Sequence, residues 1–381
     1  MSAYQSAWVT GEVSAWRSTV RRFVENEFVP RQATWCRDRR PDRAAWSAAG
    51  AAGLLLPDVS EAYGGGGGSF AHAAVVLEEL AGAGIHFGSI IQSVVAHYIL
   101  AYGTPEQKER WLPQLARGTA IGAIAISEPG AGSDMNGIRT RAPRDGDHYV
   151  IDGSKTFVTN GCNANLICVA VRTDKTAPAM RGISLLIVEC DAEAGCRAGA
   201  PLEKIGMHGQ DTCELFFDGV RVPAANLLGA VEGRGLGQVI EQLPYERLGV
   251  GVTAVATAER AIAVTTQYVK DRSAFGARLI DFQNTRFKLA ECMTEARIGR
   301  VFLDDCIARR IAGSLDEITT AMVKYWLTDC QCRIVDECVQ LHGGYGYMTE
   351  YPIARMWADS RVQRIYAGTN EIMKELIACS M

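Results

Sequence analysis

Residues 124–134 have the sequence IAISEPGAGSD and mark the point at which the pattern of the chain changes. Before this segment the apolar residues follow a helical period, and after it they follow the spacing of β-strands. Gly130 and Gly132, on either side of Ala131, leave backbone amides unshielded, so an oxyanion or an aromatic ring edge can approach closely. The residues alone indicate a candidate ligand loop at the entry to a β domain, although such a loop, taken singly, is more often a plain turn.

Amphipathic helices are predicted upstream of this loop. Over residues 13–28 the apolar side chains recur at three- and four-residue steps, which places them on one face of a helix. Two more helices are predicted over 71–81 and 89–100. Thr104 is the predicted N-cap of a further helix whose first turn holds a proline. These elements define a helical domain over residues 1–122.

Short β-rich runs follow the loop. Asp152-Gly153 lies between two such runs and predicts a hairpin, because Asp-Gly is a favoured two-residue turn. Asp218-Gly219 predicts a second turn before a final run. Further strands are predicted at 166–171, 183–188 and 213–217. Together these elements indicate a compact β domain over residues 123–233.

Helical periodicity returns after the glycine-rich segment 233–237. The longest predicted helix covers 248–269, where alanine and valine dominate and helix breakers are few. Further helices are predicted over 282–308, over 318–341 and from about Thr369. They form a third, helical domain over residues 234–381.

The composition limits the possible partners. The chain has 381 residues and a formal net charge of −4, so it lacks the basic excess expected of a protein that binds nucleic acid or an anionic membrane. No uninterrupted apolar run reaches the roughly 18–20 residues of a membrane span. Residues 1–11 carry no basic cluster before an apolar core. We therefore predict no secretory signal, no nucleic acid and no membrane.

The twelve cysteines do not have the spacing of a metal site. Cys330 and Cys332 are close in sequence, but Cys-x-Cys without a matching second pair does not fit a zinc knuckle. Cys168 and Cys190 lie inside apolar runs, where a free cysteine behaves as a small buried hydrophobe. We therefore predict no metal, buried reduced thiols and a cytoplasmic location.

Four ordered segments resemble the acyl-CoA dehydrogenase family. They are SEPGAGSD at 127–134, FVTNG at 157–161, DRSAFGARLIDFQ at 271–283 and QLHGGYGYMTEYPIARMWADSRVQRIYAGTNEI at 340–372. The resemblance implies an α+β fold with an N-terminal helical domain, a middle β-barrel-like domain and a C-terminal four-helix bundle. It also implies an FAD-dependent enzyme that oxidises acyl-CoA to trans-2-enoyl-CoA.

The resemblance implies two groups of FAD-binding residues. The first would line the flavin, with the hydroxyl of Ser127 or Thr159 binding ring heteroatoms: Ile124, Ala125, Ile126, Ser127, Gly132, Ser133, Phe157, Val158 and Thr159. The second would bind the rest of the cofactor, with Arg272 reaching the pyrophosphate in a neighbouring subunit: Arg272, Phe275, Gln283, Gln340, Leu341, Gly343, Gly344, Thr369 and Glu371. Taken singly, Arg272 also fits a surface ion pair and Gly343-Gly344 a loop between helices.

The family's usual catalytic base is missing from this chain. Most relatives carry a glutamate directly before the Gly-Thr of the last segment, where this chain has Ala367. A minority, including the isovaleryl-CoA and long-chain types, places the base on the long helix of the C-terminal domain. The matching residue here is Glu246. The resemblance further implies that the Ala367 amide bonds the thioester carbonyl and that Ser133, Arg247, Tyr366 and Gly368 contact the substrate.

The sequence around Glu246 fits a buried base better than a solvated helix acid. No charged residue follows from Leu248 to Ala258, so this part of the helix is expected to be buried, and burial raises the pKa of a carboxyl group. Gly249 and Gly251 weaken a helix interior, and they predict that an acyl chain or another backbone passes close by. Pro244 predicts a kink or an interruption just before the acid.

Several functional alternatives stay open on the sequence alone. Electrons would pass to an electron-transfer flavoprotein, whereas a related oxidase or monooxygenase would react with oxygen. The acyl group is not identified, and its carrier is either coenzyme A or an acyl-carrier protein. A non-catalytic protein that binds an acyl thioester would explain the missing acid at Ala367. The resemblance also implies a homotetramer, a dimer of dimers, because Arg272 would serve a neighbour's FAD, although a dimer satisfies this requirement as well.

Overall fold

The computed structural model describes residues 4–190, 193 and 195–381. The N-terminal domain consists of helices around a core rich in aliphatic and tryptophan side chains. Its helices are α1 (Gly11–Phe23), α2 (Gln32–Asp38), α3 (Arg43–Ala51), α4 (Phe70–Ala83), α5 (Ser89–Tyr102) and α6 (Pro105–Arg117). The predicted N-cap is confirmed, because Thr104 Oγ1 accepts the Gln107 N–H at 3.3 Å. The Thr104 N–H in turn donates to Gln107 Oε1 at 3.1 Å.

The described residues of the middle domain form two sheets around a second core. The strands are β1 (Gly122–Ala125), β2 (Arg144–Asp145), β3 (His148–Thr159), β4 (Leu166–Arg172), β5 (Ile183–Glu189), β6 (Cys196–Ala198) and β7 (Thr212–Pro223), with one helical turn, α7 (Ala179–Gly182), before β5. One sheet has the order β1-β4-β5, and the other has the order β2-β3-β7-β6. In the first sheet β1 is an edge strand that pairs in parallel with β4. The chain therefore enters this domain at a sheet edge.

The predicted turns at Asp152-Gly153 and Asp218-Gly219 are both wrong. Strands β3 and β7 run straight through these pairs and are antiparallel partners. The ladder joins Ile151 to Val220 but Gly153 to Phe217, so the two Asp-Gly pairs face each other in a bulge. Asp152 Oδ1 accepts the Gly219 N–H at 2.9 Å, and Gly219 has a φ of 63°. A bulge uses the same left-handed glycine as a tight turn, so the local pattern does not distinguish the two.

The C-terminal domain is a bundle of long helices with shorter ones against it. Its elements are α8 (Gly235–Asp271), β8 (Ser273–Ala274), β9 (Ala277–Arg278), α9 (Gln283–Ile311), α10 (Glu317–His342), α11 (Pro352–Ser360) and α12 (Asn370–Ala378). The predicted fold class, α+β with helices, a β domain and then a helical bundle, is confirmed. Helix α8 continues through Pro244, so this residue does not interrupt it.

Helix α8 joins the three domains. It packs on α4 and α5 of the N-terminal domain, on β5 of the middle domain and on α9 and α10 of the bundle. A buried ion-pair group supports this junction: Arg300 of α9 binds Glu78 of α4 and, at 2.7 Å, Glu259 of α8. The first half of α8, which carries Glu246, therefore lies where all three domains meet.

Helix α8 has the length and apolar composition of a membrane span. It is the one helix among the described residues that does, with a mean hydropathy of 1.3 in its most apolar window. However, 72% of that window is buried inside the protein. This burial is what a core helix of the bundle requires, since its apolar surface is covered by neighbouring helices.

The prediction that the cysteines are reduced is wrong for Cys190. This residue forms a disulfide with Cys196, which starts strand β6, because the chain returns to the end of β5 within six residues. The other ten cysteines of the described chain are free, and Cys168 is fully buried as predicted. Cys162, Asp211 and Cys213 place three ligand-type atoms within 4.8 Å of one another. Both Asp211 oxygens already accept backbone N–H groups, those of Cys162 and Asn163.

Candidate active site

A cavity of about 240 Å³ lies between α5, β1, β3, α8 and the segment before α12. Its wall is apolar on the side of α4 and α5, where Leu77, Phe87, Ile90, Ile91 and Val94 lie. The sequence-predicted residues that line it come from four separate segments: Ile124, Ile126, Ser127, Phe157, Thr159, Glu246, Tyr366 and Ala367. A few polar groups in an apolar cavity are typical of a site for a largely apolar ligand.

Glu246 is the acid of α8 that faces this cavity. Burial raises the pKa of its carboxyl to about 7, although the Arg247 guanidinium and the Tyr98 hydroxyl act in the opposite direction. Tyr98 Oη lies 3.5 Å from Glu246 Oε1 and is itself fully buried. A carboxylate with a pKa near neutrality, in contact with a cavity, has the properties of a general base.

The expectation for Gly249 and Gly251 is wrong in its detail. A side chain at Gly249 would collide with Ile90 of α5, and one at Gly251 would collide with Val323 of α10. Among the described residues, the close approach is therefore made by side chains of neighbouring helices and not by another backbone. Because Ile90 also lines the cavity, Gly249 brings α5 and α8 together at its wall.

Arg247 faces away from the cavity. Its Nε donates to the Ala367 carbonyl at 3.4 Å, and its Nη1 lies 3.5 Å from Glu317 Oε1. The guanidinium is buried beside Gly368, whose carbonyl accepts a hydrogen bond from the fully buried Lys324 at 2.6 Å. Adjacent residues of α8 thus have different roles: Glu246 lines the cavity, whereas Arg247 binds the segment that contains Ala367.

The segment around Ala367 has an uncommon backbone conformation. Ala367 has a φ of 53° and Gly368 has a φ of 88°. The left-handed region is unfavourable for alanine, so the surrounding contacts must hold it there. Thr369 then caps α12, its Oγ1 accepting the Ile372 N–H at 3.3 Å. Glu371 is exposed in the first turn of α12, and the pKa of its carboxyl is lowered by the backbone N–H groups there.

The glycine-rich loop follows β1, and the residues that lead into it face the cavity. Ile124, Ile126 and Ser127 line it, whereas the side chain of Ala125 is buried in the core of the middle domain, as strand alternation requires. Gly132 and Ser133 are exposed, and no protein atom lies within 4 Å of a side chain built at Gly130 or Gly132. The space above these glycines is therefore open to a ligand.

Phe157 projects from a bulge of β3. Its φ is 58° and 72% of its surface is exposed, although it belongs to a strand whose neighbours Lys155 and Val158 are buried. The register of β3 against β7 shifts between Lys155 and Val158, and this shift turns the ring outward to line the cavity. Thr159 also lines it, while Val158 packs into the core. An exposed aromatic face in the cavity wall fits the flat ring of a flavin.

Sequence analysis did not identify the residues that hold the glycine-rich loop. Lys155 is fully buried, donates to the Ile126 carbonyl at 3.0 Å and forms an ion pair with Glu128 at 2.8 Å. Burial alone would raise the pKa of Glu128, but Lys155 and the N–H groups of Arg139 and Thr140 keep it below its ordinary value. Their mutual proximity depends on a contact between β3 and the loop, which no local sequence pattern reveals.

A second contact group was also missed. His86 lines the cavity, and its Nε2 lies 2.9 Å from Asp359 Oδ2, at the end of α11. Asp359 also accepts the backbone N–H of Met207, a cavity residue with a φ of 49°. Because these three residues are far apart in sequence, only the fold brings them together.

The remaining predicted FAD residues form a separate group. Arg272, at the end of α8, places its guanidinium 5.6 Å from the centre of the Tyr345 ring, beside Gly343 and Gly344. Phe275, at the tip of the β8–β9 hairpin, is 97% exposed. These predicted residues lie at this end of the bundle and do not line the cavity that holds Glu246: Arg272, Phe275, Gln283, Gln340, Leu341, Gly343 and Gly344.

Three family models match the chain in the order of its domains. They are the N-terminal domain (residues 10–119), the middle domain (123–220) and the C-terminal domain (233–381) of acyl-CoA dehydrogenase. The chain belongs to the acyl-CoA dehydrogenase family. The predicted family is thus confirmed, and so is the enzyme class.

Relatives in this family resemble the chain over nearly its whole length. The mitochondrial long-chain specific acyl-CoA dehydrogenase of Sus scrofa is 43% identical over 376 residues, which cover 97% of this chain and 86% of that protein. The crystal structure of an acyl-CoA dehydrogenase from Geobacillus kaustophilus has a TM-score of 0.95 and 46% identity, with 99% of each chain covered. A glutaryl-CoA dehydrogenase from Mycobacterium smegmatis, solved in complex with FADH2, has a TM-score of 0.90 and 28% identity over 97% of this chain and 94% of that chain.

Acyl-CoA dehydrogenases are FAD-dependent oxidoreductases, and FAD is the cofactor of this chain, as predicted. The described residues fit a flavin at the cavity. Phe157 offers an aromatic face, Ser127 and Thr159 offer hydroxyl groups, and the space at Gly130 and Gly132 is open. The arrangement therefore combines an apolar cavity wall with a half-buried carboxyl whose pKa is about 7.

Proposed function

We propose that the chain converts an acyl-CoA to the trans-2-enoyl-CoA, with Glu246 as the base that removes the α-proton. The observation that carries the proposal is the arrangement of the cavity, in which Glu246 and Ala367 come from α8 and from the segment before α12 and line the same space. The pKa of about 7 supports it, because about half of the carboxyl is then ionised at neutral pH, most of it is ionised at higher pH, and it is still basic enough to take a proton.

The chain's own residues provide the base and the polarising group. Glu246 would take the proton from the carbon next to the thioester carbonyl. The backbone N–H of Ala367 would donate a hydrogen bond to that carbonyl oxygen, where negative charge develops as the proton leaves. When bound, FAD supplies the acceptor for the hydride that leaves the β-carbon. Leu77, Ile90 and Val94 would surround the acyl chain and exclude water from it.

The cofactor would be held by the residues that the resemblance indicates. Ile126, Ser127, Phe157 and Thr159 would contact the flavin ring from the cavity wall. The group at Arg272 and Gly343-Gly344 would reach the FAD of a neighbouring subunit, which supports a homotetramer built as a dimer of dimers. Ser133 and Gly132 are exposed, and we propose that they contact FAD or the substrate, as the resemblance implies.

The proposed partners and location follow from the same assignment. An electron-transfer flavoprotein would reoxidise the cofactor, and the substrate carrier would be coenzyme A, with an acyl-carrier protein as the alternative. We propose a cytoplasmic location, for which the ten free cysteines of the described chain are the support. The disulfide at Cys190 weakens this support without removing it.

The test compares Glu246→Gln with Glu241→Gln in the purified holoenzyme. Both acids belong to α8, but Glu241 is exposed and binds the Tyr102 hydroxyl at 2.8 Å. Assayed on a panel of acyl-CoA substrates with an artificial electron acceptor, Glu246→Gln is expected to bind flavin and lose several orders of magnitude in kcat. Glu241→Gln should stay within about twofold of the wild type, as for an exposed acid outside the site. In the wild type, kcat/KM should rise with pH up to about 7, where Glu246 ionises, and then level off.

Three results would contradict the proposal. Near-full activity of Glu246→Gln would mean that the base lies elsewhere. Rapid reoxidation of the substrate-reduced flavin by air would favour an oxidase. Protein that stays colourless after refolding with FAD would favour a non-catalytic binder of acyl thioesters.

A further inference from the structure

Lys324 of α10 is fully buried, and its ammonium group serves the segment that carries Ala367. Its Nζ donates to the Gly368 carbonyl at 2.6 Å and to Asn370 Oδ1 at 2.8 Å. Burial of an ammonium group is costly unless strong acceptors compensate for the lost water. Burial lowers the pKa of Lys324 to about 7, and the nearby Arg247 adds to this effect. Because burial of this ammonium group is energetically unfavourable, Lys324 is expected to have a role other than packing.

Asn370 fixes the other end of this contact. Its Nδ2 donates to the Tyr325 carbonyl at 3.2 Å, to Thr328 Oγ1 at 3.0 Å and to Asp329 Oδ1 at 3.0 Å, all on α10. Its Oδ1 is thereby turned toward Lys324. Helix α10 thus binds the start of α12 at the side chain of Asn370. Its Lys324 also binds the Gly368 carbonyl, which precedes α12.

These contacts determine the direction of the Ala367 backbone. The Ala367 carbonyl accepts from Arg247 Nε at 3.4 Å, and the next carbonyl, that of Gly368, accepts from Lys324. With two successive carbonyls directed into the protein, the left-handed conformations at Ala367 and Gly368 are held. Ala367 then lines the cavity opposite Glu246. If either carbonyl were released, the strained backbone would relax toward a common conformation and its N–H would turn.

We propose that Lys324 is a positioning residue: through the Gly368 carbonyl it aims the Ala367 N–H at the thioester carbonyl oxygen. The inference rests on the proposed function, because it concerns the same hydrogen bond. Lys324 does not line the cavity and acts through the backbone of this segment. It holds in place a donor that an alanine provides as well as any other residue, so the direction of the amide matters and the side chain at position 367 does not.

The test compares Lys324→Met with Gln331→Met. Gln331 lies seven residues further along the same helix, is also fully buried and donates to Ser360 Oγ at 2.9 Å, away from the segment. Each variant removes one buried donor from α10. Flavin content and Tm are measured on both, followed by kcat and KM. The decisive readout is infrared difference spectroscopy of bound trans-2-enoyl-CoA labelled with carbon-13 at the thioester carbonyl, since a hydrogen bond lowers the stretching frequency of this group.

We expect the carbonyl band of the wild type to shift down on binding. Lys324→Met should lose most of this shift and lower kcat roughly tenfold to hundredfold, less than the complete loss of an oxyanion donor, with KM changed less than kcat. Gln331→Met should keep the shift and the kcat even where its Tm falls. If Lys324→Met does not fold, the same readouts are taken on Lys324→Gln, which is too short to reach both acceptors.

A full carbonyl shift in the flavin-loaded Lys324 variant, with kcat reduced no more than in Gln331→Met, would overturn the proposal. This outcome is distinct from failure of the proposed function. In that case the wild type itself would leave every acyl-CoA unchanged and show no carbonyl shift. A positioning role is judged only on a wild type that turns over and polarises the bound thioester.

Discussion

Two lysines among the described residues are fully buried, and they hold opposite walls of the same cavity. Lys155 donates to the Ile126 carbonyl in the glycine-rich loop, and Lys324 donates to the Gly368 carbonyl before α12. Next to each lies a residue other than glycine with a left-handed backbone, Phe157 in one wall and Ala367 in the other. The difference is in the charge: Lys155 has a carboxylate partner, Glu128, whereas the hydrogen bonds of Lys324 go to uncharged oxygens.

This difference in charge predicts that Lys155 contributes mainly to stability, whereas Lys324 mainly positions the backbone that it binds. The Glu128–Lys155 pair is buried in the middle domain, so a substitution that removes one member leaves the charge of the other buried without a partner. Lys324 has no such counterion in hydrogen-bond contact, and its pKa falls to about 7, whereas that of Lys155 falls to about 8. A buried cation with uncharged acceptors adds little net stability, and its effect is to direct the backbone that it binds.

The largest effect on stability is expected for Lys155→Met. The change leaves the Glu128 carboxylate buried without its cation, and we expect the free energy of unfolding to fall by about 3–5 kcal/mol. Because the Ile126 carbonyl also loses its donor, bound flavin should be lost. Urea denaturation and the flavin absorbance of the purified protein measure both. The double variant Lys155→Met with Glu128→Gln should recover part of the stability. If it does not, the ion pair is not the source of the loss.

A smaller loss of stability is expected for Lys324→Met. Methionine removes an ammonium whose burial is unfavourable and leaves two uncharged acceptors without a donor, so we expect about 1–3 kcal/mol. The same urea denaturation measures it beside Lys155→Met. A loss equal to or greater than that of Lys155→Met would remove the distinction between the two walls.

The smallest effect concerns the pH dependence of stability. The folded-state pKa of Lys324 is about 7 and its ordinary value is 10.5, so between these values the unfolded state binds more protons. The free energy of unfolding contributed by this group therefore rises with pH above about 7, by about 1.4 kcal/mol per pH unit at most. The stability of the wild type relative to Lys324→Met, measured from pH 7 to pH 9, should increase. A difference that stays constant over this range would show that the lysine keeps an ordinary pKa in the folded protein.

Much of the fold could be predicted from the sequence because its signals are local. The N-cap at Thr104 and the helical periods on both sides of the β domain depend on residues within a few positions of one another. The Asp-Gly pairs failed as turn predictors for a physical reason. Asp152-Gly153 and Asp218-Gly219 face each other across a ladder, and only the pairing of β3 with β7 shows that each glycine relieves a bulge.

Some features of the candidate site could likewise be predicted from the sequence, whereas others depend on the fold. Glu246 and the loop at Ser127 were found from the sequence, and both line the cavity. The direction of Arg247 was not predictable, because it depends on Glu317 and on the Ala367 carbonyl, more than 60 residues away. The disulfide at Cys190 also escaped prediction, since an apolar run does not show that the next strand returns to its end.

The sequence by itself determined the order of the helical, β and helical regions, and through the family resemblance it indicated the loop at Ser127 and Glu246 as candidate site residues. These features are encoded in short segments, whose spacing and periodicity survive without knowledge of the fold. The tertiary structure alone decided which carbonyls Lys155 and Lys324 hold, and therefore how the two walls of the cavity are directed. The partners Glu128 and Gly368 lie 27 and 44 residues from their lysines, and a hydrogen bond across that separation exists only once each domain has folded.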